Sequence, residues 1–488
     1  MSTPSQKLSK METTYKDLQR FYKLDQEYIQ SLSDCLRLYA YTMPVTKIYT
    51  VHTNPLEDIS LAGSSVEGAA LSRLFEASKD FEDGVNQEIE LDVEMIICQI
   101  PMTLQNKVHE INPEQGYVKI ELVRDILHEF KTSGWNFDEE FIDSFAETFK
   151  SPDGYFQPFQ IKSLVKGEAE YGDRGGLLLL AASVFGVNVS DVEIKQAGKE
   201  VTKSSVKSAY FVKSHGRNML KVSLDLVVLL KLSWRPEIVK SWFERSKNWP
   251  NDFECEKLLS SGIRVIPKPS RRNKHDENST EMRFAFSHIE RKLVKMRSPE
   301  QNFVYMVFKI MFVKWVKPID TEEISSFIAK TAMFWIAEEF PPEDSVWDVF
   351  DEDSLMLPLQ ILFSWLLSAF ECGFVPYYFN EKVNIIEGMS DTIRDQIKTK
   401  LEEIVGNIGD FIPSNIEKEL RAAETVLGYL SSIKDTFLKI NSKDYSALVS
   451  QHGHLVKDIW KYLTRTDCYM PDDQIMELLS CFGLLKRP

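Results

Sequence analysis

Residues 88–97 read EIELDVEMII, and residues 220–232 read LKVSLDLVVLLKL. Acidic and apolar residues alternate strictly in the first stretch, which is typical of a β-strand whose two faces differ. Its carboxylates, Glu90 and Asp92 among them, therefore share one face. The second stretch is almost wholly apolar and carries one carboxylate, Asp225. Because an ionised group in such a strand is costly unless it is paired or coordinates a metal, the two stretches together predict strands that hold a metal site.

A bland interpretation stays open for the first stretch, namely a half-exposed strand whose wet face is acidic. A short turn upstream of it, AGSS at residues 62–65, adds a second feature. A Gly-Ser turn lets backbone N–H groups and a hydroxyl approach phosphate oxygens closely. Alone, such a turn is an ordinary loop. The order of Gly-Ser turn, helix, Glu-x-Asp strand and distant Asp strand resembles the signature of the nucleotidyltransferase superfamily related to polymerase beta.

Composition indicates a large folded protein with an uneven charge. The chain has 488 residues, of which 43% are hydrophobic, so general disorder is excluded. Its 58 basic and 73 acidic residues give a net charge of −15, which taken whole argues against a nucleic-acid ligand. Residues 201–300 nevertheless carry 21 basic against 11 acidic residues, a local net charge of +10. The remainder is therefore strongly acidic around one basic stretch.

Cysteine usage and hydropathy indicate a soluble, cytoplasmic protein. The six cysteines are scattered without CxxC pairs, which is typical of reduced thiols. The first residues lack the apolar region of a signal peptide. The longest uncharged run, residues 354–370, is shorter than the roughly 20 residues of a membrane span. We expect that run to form a buried core helix.

The patterns along the chain predict an α+β, bilobal fold. Residues 13–43 have the spacing of one long amphipathic helix, a mixed strand and helix region follows, and the pattern beyond residue 284 is almost entirely helical. We predict three parts. They are an N-terminal helix with a nucleotidyltransferase lobe built on a mixed sheet (13–235), a helical C-terminal lobe (236–390) and an extra C-terminal helical module (391–488).

Several blocks resemble one family of nucleotidyltransferases. They are AGSSVEG (62–68), ELDVEMI (90–96), KVSLDLVVLL (221–230), SWRPE (233–237), VIPKP (265–269), MRFAFSHIERKL (282–293), ISSFIAKTAMFW (324–335) and VPYYFNEKVNII (375–386). In this order they resemble the cyclic GMP-AMP synthase (cGAS) and cGAS-like receptor family, within the male-abnormal (Mab) superfamily. The resemblance covers residues 15–390 and implies a polymerase-beta-like core.

The resemblance implies a role for each matching residue. Glu90, Asp92 and Asp225 match the catalytic carboxylates, which implies a two-metal site for Mg²⁺ or Mn²⁺. The residues that it implies for ATP and GTP binding are Gly63, Ser64, Lys268, Arg283, Ser287, Glu290, Lys309, Ser326, Phe327 and Lys330. Glu94 and Glu88 share the acidic face but do not match the motif. His288 lies among apolar residues, and we expect it to be a packed core histidine.

One departure from the family bears on the activating ligand. Vertebrate cGAS has a His/Cys zinc cluster after the block that matches residues 283–290. Residues 291–308 contain neither histidine nor cysteine, so we expect no zinc thumb. In invertebrate cGAS-like receptors the same absence goes with double-stranded RNA or another trigger in place of DNA.

Basic residues cluster where a nucleic-acid duplex could bind. Between residues 195 and 221 the only acidic residue is Glu200. Such clusters suit contacts with a duplex backbone, read by shape more than by sequence; a solvated basic face without a partner is the alternative. The residues that we assign to this surface are Lys195, Lys199, Lys203, Lys207, Lys213, Arg271 and Arg272.

The resemblance implies a nucleic-acid-triggered enzyme that makes a cyclic dinucleotide of the cyclic GMP-AMP type from ATP and GTP in innate immunity, and the basic clusters favour its nucleic-acid ligand. Double-stranded RNA is the favoured activating ligand, double-stranded DNA is the alternative, and assembly on the nucleic acid stays open. A catalytically inactive Mab-type scaffold is the competing hypothesis, and a template-independent polymerase is a weaker third.

Overall fold

The computed structural model describes residues 4–42, 59–61, 63, 67–76, 85–111, 116–132, 150–157, 192–201, 205–214, 217–268, 270 and 279–441. For some residues in these ranges, including Glu90 and Asp225, only the backbone is described. The α-helices of this part are α1 (Pro4–Thr42), α2 (Arg124–Thr132), α3 (Glu237–Glu244), α4 (Asp252–Leu259), α5 (Ser287–Met296), α6 (Pro299–Met311), α7 (Phe327–Glu339), α8 (Glu352–Glu371), α9 (Asp391–Gly406), α10 (Ile408–Phe411) and α11 (Glu417–Asn441).

The strands of the described part form one large sheet and one small hairpin. They are β1 (Ile59–Leu61), β2 (Val85–Ile100), β3 (Val108–Ile111), β4 (Tyr117–Ile120), β5 (Val192–Val201), β6 (Ser205–Ser214), β7 (Arg217–Leu232), β8 (Ile263–Ile266), β9 (Met282–Ala285), β10 (Pro376–Tyr377) and β11 (Asn380–Asn384). Short 3₁₀ helices at Ala70–Phe75, Met102–Lys107, Lys317–Ile319 and Ser345–Trp347, and a π-helix at Phe312–Val316, complete the elements.

Strand β7 organises the large sheet, whose order is β1-β2-β7-β8-β9-β4-β3. It runs parallel to β2 over almost its whole length, whereas its other pairings are antiparallel. On its second side, β6 pairs with its first part and β8 with its last three residues. Strands β8 and β9 follow residue 235 in the chain and still belong to this sheet. The sheet is therefore mixed, and β7 lies at its centre.

Local sequence explains where several helices begin. Helix α4 starts at a capping box formed by Asn251 and Glu254, and α6 starts at one formed by Ser298 and Gln301. In each box the two side chains satisfy backbone N–H groups that a helix start leaves without partners. Pro299 at the first position of α6 already has the helical φ. The starts of α4 and α6 are therefore specified by local sequence.

Helix α8 is the element that could be mistaken for a membrane span. By length and hydropathy it is, among the described residues, the one helix that could cross a membrane. Its Leu355, Leu359, Leu362, Phe363 and Leu366 are fully buried in the protein core. This packing agrees with the core helix predicted for residues 354–370.

The C-terminal helices pack back onto the N-terminal helix. Helix α11 lies against α1, and Arg20 of α1 forms an ion pair with Glu424 of α11. Buried residues of α9 and α11, such as Leu401 and Leu430, belong to the same hydrophobic core as Leu18 of α1. The C-terminal helices therefore stabilise the long first helix.

The predicted α+β class is confirmed, as are the long N-terminal helix, both carboxylate-bearing strands and the helical second half. The prediction that His288 is a core histidine is also confirmed, since it is 3% exposed and its Nε2 atom lies 2.8 Å from the Gly262 carbonyl oxygen. Burial lowers the pKa of its imidazole well below the usual value. Strands β5 and β6 were not predicted. The division into three domains stays a prediction.

Candidate active site

The carboxylate-bearing strands lie side by side. In the parallel pairing of β2 with β7, the Cα atom of Asp92 is the partner of the Cα atom of Asp225, and Glu90 is paired with Ser223. Neighbouring strands lie about 4.8 Å apart, so three carboxylate-bearing positions from distant parts of the chain meet at one place in the sheet. The side chain of Asp92 is half-buried, whereas those of Glu90 and Asp225 lie outside the described atoms.

The turn before this sheet lies directly against Asp92. Gly63 has a φ of +63°, and a Cβ atom on it would lie 3.4 Å from Cγ and 3.7 Å from Cβ of Asp92, and closer still to Oδ2. Both the backbone conformation and the contact exclude a side chain at this position. The Gly63 carbonyl accepts a hydrogen bond of 3.1 Å from the N–H of Glu67, which closes the turn. Ser64, the predicted phosphate contact inside it, lies outside the described residues.

A buried ion-pair cluster follows the turn. Lys330 of α7 donates to Glu67 Oε2 at 2.8 Å and to Glu290 Oε2 at 2.5 Å. The two carboxylates are 3% and 5% exposed, so the cluster is shielded from water. The neighbouring carboxylates raise the pKa of Lys330 although burial opposes this, and burial raises the pKa of Glu290. The three groups therefore connect the turn with helices α5 and α7.

Lys309 anchors the next residues of the same segment. Its Nζ atom donates to the Ala69 carbonyl at 3.1 Å, and the side chain is 6% exposed. From the other side, the carboxylate of Asp25 on α1 accepts hydrogen bonds from the N–H groups of Ala69 (2.8 Å) and Leu71 (2.7 Å). Burial raises the pKa of Asp25 to about 6. Helices α1 and α6 thus fix the start of the 3₁₀ helix that follows the turn.

A second carboxylate of the acidic strand has partners of its own. Glu94 is buried and accepts hydrogen bonds from Arg264 Nη1 at 2.7 Å and from the hydroxyl of Ser287. Arg264 belongs to β8, and Ser287 is the first residue of α5. Because Glu94 lies two residues from Asp92, this contact holds Ser287 beside the carboxylate-bearing strands.

Aromatic rings form one wall next to the cluster. The Phe327 and Tyr377 ring centroids lie 5.7 Å apart, and the Lys330 ammonium lies 5.1 Å from the Phe327 ring centre. Burial raises the pKa of Tyr377 well above its usual value; nearby Glu290 adds to the rise, and the charge of Arg283 opposes it. Phe327 and Tyr377 are both half-buried. The Phe327 ring therefore lies beside the Lys330 ammonium at the edge of the cluster.

Two predicted nucleotide contacts lie at the margin of this arrangement. Ser326 is half-buried at the start of α7. Lys268 is exposed just beyond β8, whose Ile266 pairs with Arg283 of β9. Among the predicted site residues that the structure describes, Gly63 lies against Asp92 and Lys330 pairs with Glu290, while Ser287 contacts Glu94, two residues from Asp92. Lys309 acts on the backbone of the same segment.

The predicted nucleic-acid residues fall largely on one hairpin. Lys195 and Lys199 belong to β5, and Lys207 and Lys213 belong to β6. The Cα atom of Lys207 is paired with that of Asp225, so the hairpin borders the carboxylate-bearing strand directly. The side chains of these four lysines lie outside the described atoms, and Lys203, Arg271 and Arg272 lie outside the described residues altogether.

Several residues of the site were missed in the sequence. They are Asp25, Glu67, Glu94, Arg264 and Tyr377. For Glu94 a signal existed, because the alternation places it on the same face as Asp92. For Asp25 the signal is a charged residue four positions after Phe21, on the apolar face of α1.

The arrangement can support chemistry on phosphates. Carboxylate oxygens are the ligands that divalent cations such as Mg²⁺ prefer, and Glu90, Asp92 and Asp225 occupy neighbouring positions on adjacent strands. This donor set fits a site for divalent cations. The turn at Gly63 lies against Asp92, the one member of this set whose side chain is described.

Comparison with known families agrees with this geometry. Residues 85–296 match the model of the Mab-21 protein nucleotidyltransferase domain. Residues 302–403 match the model of the Mab-21 protein HhH/H2TH-like domain. Together the matches span nearly two thirds of the chain. A search of curated proteins finds no match.

Proposed function

Since the chain belongs to the Mab-21 family and carries its nucleotidyltransferase domain, we propose that it is a nucleic-acid sensor that synthesises a cyclic dinucleotide of the cyclic GMP-AMP type from ATP and GTP. Double-stranded RNA is the favoured activating ligand, and the product would act as a second messenger in antiviral innate immunity. The protein would work in the cytoplasm, as its scattered cysteines suggest; Cys98, Cys255 and Cys372 are free thiols.

The observation that carries the proposal is the register of β2 and β7, which pairs the Cα atoms of Asp92 and Asp225 while Gly63 lies against the Asp92 carboxylate. Divalent cations bound there, Mg²⁺ or Mn²⁺, would lower the pKa of the attacking hydroxyl and offset charge on the leaving group. A pseudoenzyme has no need of a carboxylate in the apolar β7 strand, which argues against the inactive-scaffold alternative.

The proposed reaction uses the same residues twice. A ribose hydroxyl of one nucleotide forms a bond with the α-phosphorus of the second, the bond to the β-phosphate oxygen breaks, and pyrophosphate leaves with the electron pair. The hydroxyl proton passes to solvent through the carboxylates. A second transfer in the linear product closes the ring. The contacts of Gly63 with Asp92 and of Glu94 with Arg264 and Ser287 hold the acidic strand in position against its neighbours. Such a transfer requires the reacting groups to be held in a fixed orientation.

The experiment is product analysis with the full-length protein. We expect incubation with ATP, GTP, Mn²⁺ or Mg²⁺ and duplex RNA or DNA to give a nuclease-resistant cyclic product, detected by mass spectrometry. Asp225→Asn should lower the rate by at least about 100-fold while the circular dichroism spectrum stays unchanged. Folded wild-type protein that makes no nucleotide product with any activator would sink the proposal and favour the scaffold hypothesis. A linear product would favour the polymerase alternative.

The β5–β6 hairpin supports the nucleic-acid part of the proposal. We expect a Lys195→Ala, Lys199→Ala and Lys213→Ala triple variant to bind duplex RNA more weakly, with a smaller dependence of the affinity on salt. The matched control replaces Lys16, Lys23 and Lys418, which are exposed on α1 and α11. Equal affinities and salt slopes for the two triple variants would exclude this hairpin as the binding surface.

A further inference from the structure

Glu94 holds the hydroxyl of Ser287 in one orientation. One carboxylate oxygen, Oε2, accepts a hydrogen bond from Arg264 Nη1 at 2.7 Å, and the other, Oε1, accepts the Ser287 hydroxyl. The Glu94 and Arg264 side chains are 6% and 10% exposed, so this pair is shielded from water. A guanidinium can only donate, which keeps the Glu94 oxygens in their role as acceptors.

The Ser287 hydroxyl has a single proton, and it donates that proton in the hydrogen bond to Glu94. The Ser287 oxygen therefore has only lone pairs left for any further partner. Ser287 is half-buried, so part of the residue is exposed to solvent. It also starts the helix that carries Glu290 of the buried ion-pair cluster, and its contact with Glu94 places it two residues along the strand from Asp92.

We propose that Glu94 is a specificity-determining positioning residue. It makes Ser287 an obligate hydrogen-bond acceptor, which favours a nucleobase that presents an amino group at its edge over a base without one. This inference rests on the proposed function, because it assumes that a nucleotide occupies the site. It adds to that function the chemical feature of the base that the site selects and the residue that sets it.

The substitution Glu94→Gln reverses which side chain donates the hydrogen bond between residue 94 and Ser287. The amide oxygen of Gln would stay toward Arg264, since the guanidinium needs an acceptor, and the amide NH₂ would then face Ser287. Ser287 would accept from that NH₂ and direct its own proton outward. In the variant, the Ser287 proton would point at the position where the wild-type oxygen accepts a hydrogen bond from a base amino group, so binding of that amino group would be disfavoured.

The experiment compares nucleotides that differ by one amino group. The pairs are GTP with inosine triphosphate and ATP with purine riboside triphosphate, titrated calorimetrically into the full-length protein with Ca²⁺ in the presence of duplex RNA and, separately, of duplex DNA. In at least one pair, we expect the wild type to bind the amino-bearing member about tenfold more tightly. Glu94→Gln should abolish or reverse that ratio, and Ser287→Ala should abolish it. The Glu94→Gln, Ser287→Ala double variant should behave as Ser287→Ala alone.

Glu88→Gln is the matched control, because it removes the same charge from the same strand and should leave the ratio unchanged. Thermal melting of each variant checks that it is folded. Nucleotide binding without a preference in the wild type, or the same preference in Glu94→Gln, would overturn this inference alone. Failure of the wild type to bind any nucleotide would overturn the proposed function, and this inference with it.

Discussion

The backbone of Gly63 lies against the carboxylate of Asp92, so close that a Cβ atom at residue 63 would overlap Oδ2. The turn and the acidic strand are thus fitted to each other without an intervening side chain. The turn also begins the segment that Lys330, Lys309 and Asp25 hold in place. The alignment of Asp92 therefore depends on how this one segment packs.

Gly63→Ala tests this dependence. The new methyl group would displace the Asp92 carboxylate, and a displacement of about 1 Å can cost on the order of 100-fold in rate. We expect nucleotide transfer to fall by that factor. Gly68→Ala is the control, because Gly68 also has a positive φ but a Cβ atom there meets nothing within 4 Å. It should lose about 1 kcal/mol of stability and keep its activity; equal activity of the two variants would contradict the prediction.

The strands of the site were predictable because their signal is local. Strict alternation marks β2, and an apolar run with one carboxylate marks β7. Strands β5 and β6 lack such a signal, since lysines and serines interrupt them. Strand β6 pairs with β7 and β5 pairs with β6, and these pairings stabilise both strands only in the folded protein. The contact between Lys330 and Glu67 was also not predictable from the sequence. Glu67 is 263 residues away from it in the chain, and no spacing rule connects them.

Lys330→Met should destabilise the protein strongly. It would leave Glu67 and Glu290 buried together without a cation, which typically costs about 3–5 kcal/mol. Urea denaturation at pH 7 measures this loss. The control is Lys317→Met, whose partner Glu76 lies at 2.9 Å in a pair that is about one fifth exposed; there we expect about 1 kcal/mol or less. Similar losses in both variants would mean that the buried cluster has no special role in stability.

The raised pKa of Asp25 predicts that the stability of the protein depends on pH. Its pKa is about 6 in the folded protein against an ordinary value of 3.8, because burial disfavours the charged form. The folded protein therefore holds the extra proton between these values. The stability that this proton contributes is fully present below pH 3.8 and is lost as the pH rises through 6.

Asp25→Asn removes this titration. Relative to the variant, the wild type should lose roughly 2–3 kcal/mol between pH 4 and pH 7, measured by urea denaturation at several pH values. The variant also leaves one of the N–H groups of Ala69 and Leu71 without a good acceptor, which costs about 1–3 kcal/mol at every pH. Glu27→Gln, at an exposed position of α1, is the control. A pH-independent difference between wild type and Asp25→Asn would refute the assignment.

Burial should also decide how much stability an arginine contributes where the end of α3 meets α7. Arg245 donates to both carboxylate oxygens of Glu338, at 3.1 and 2.6 Å, and its guanidinium lies 4.2 Å from the centre of the Trp335 ring. Arg235 makes a similar pair with Glu256, but these side chains are 40% and 50% exposed against 13% and 10% in the first pair.

Lysine cannot form a planar, two-pronged contact or stack on a ring as arginine does. Arg245→Lys should therefore lose about 2 kcal/mol, since the contact is desolvated and the indole stacks on the cation. Arg235→Lys removes the same chemistry from an exposed pair, and water and salt reduce its effect to less than about 1 kcal/mol. Urea denaturation in low and high salt separates the two: we expect the Arg245→Lys loss to persist in 0.5 M salt (roughly a 4 Å screening length) and the Arg235→Lys loss to vanish. Equal losses would show that geometry, and not burial, sets the strength of these contacts.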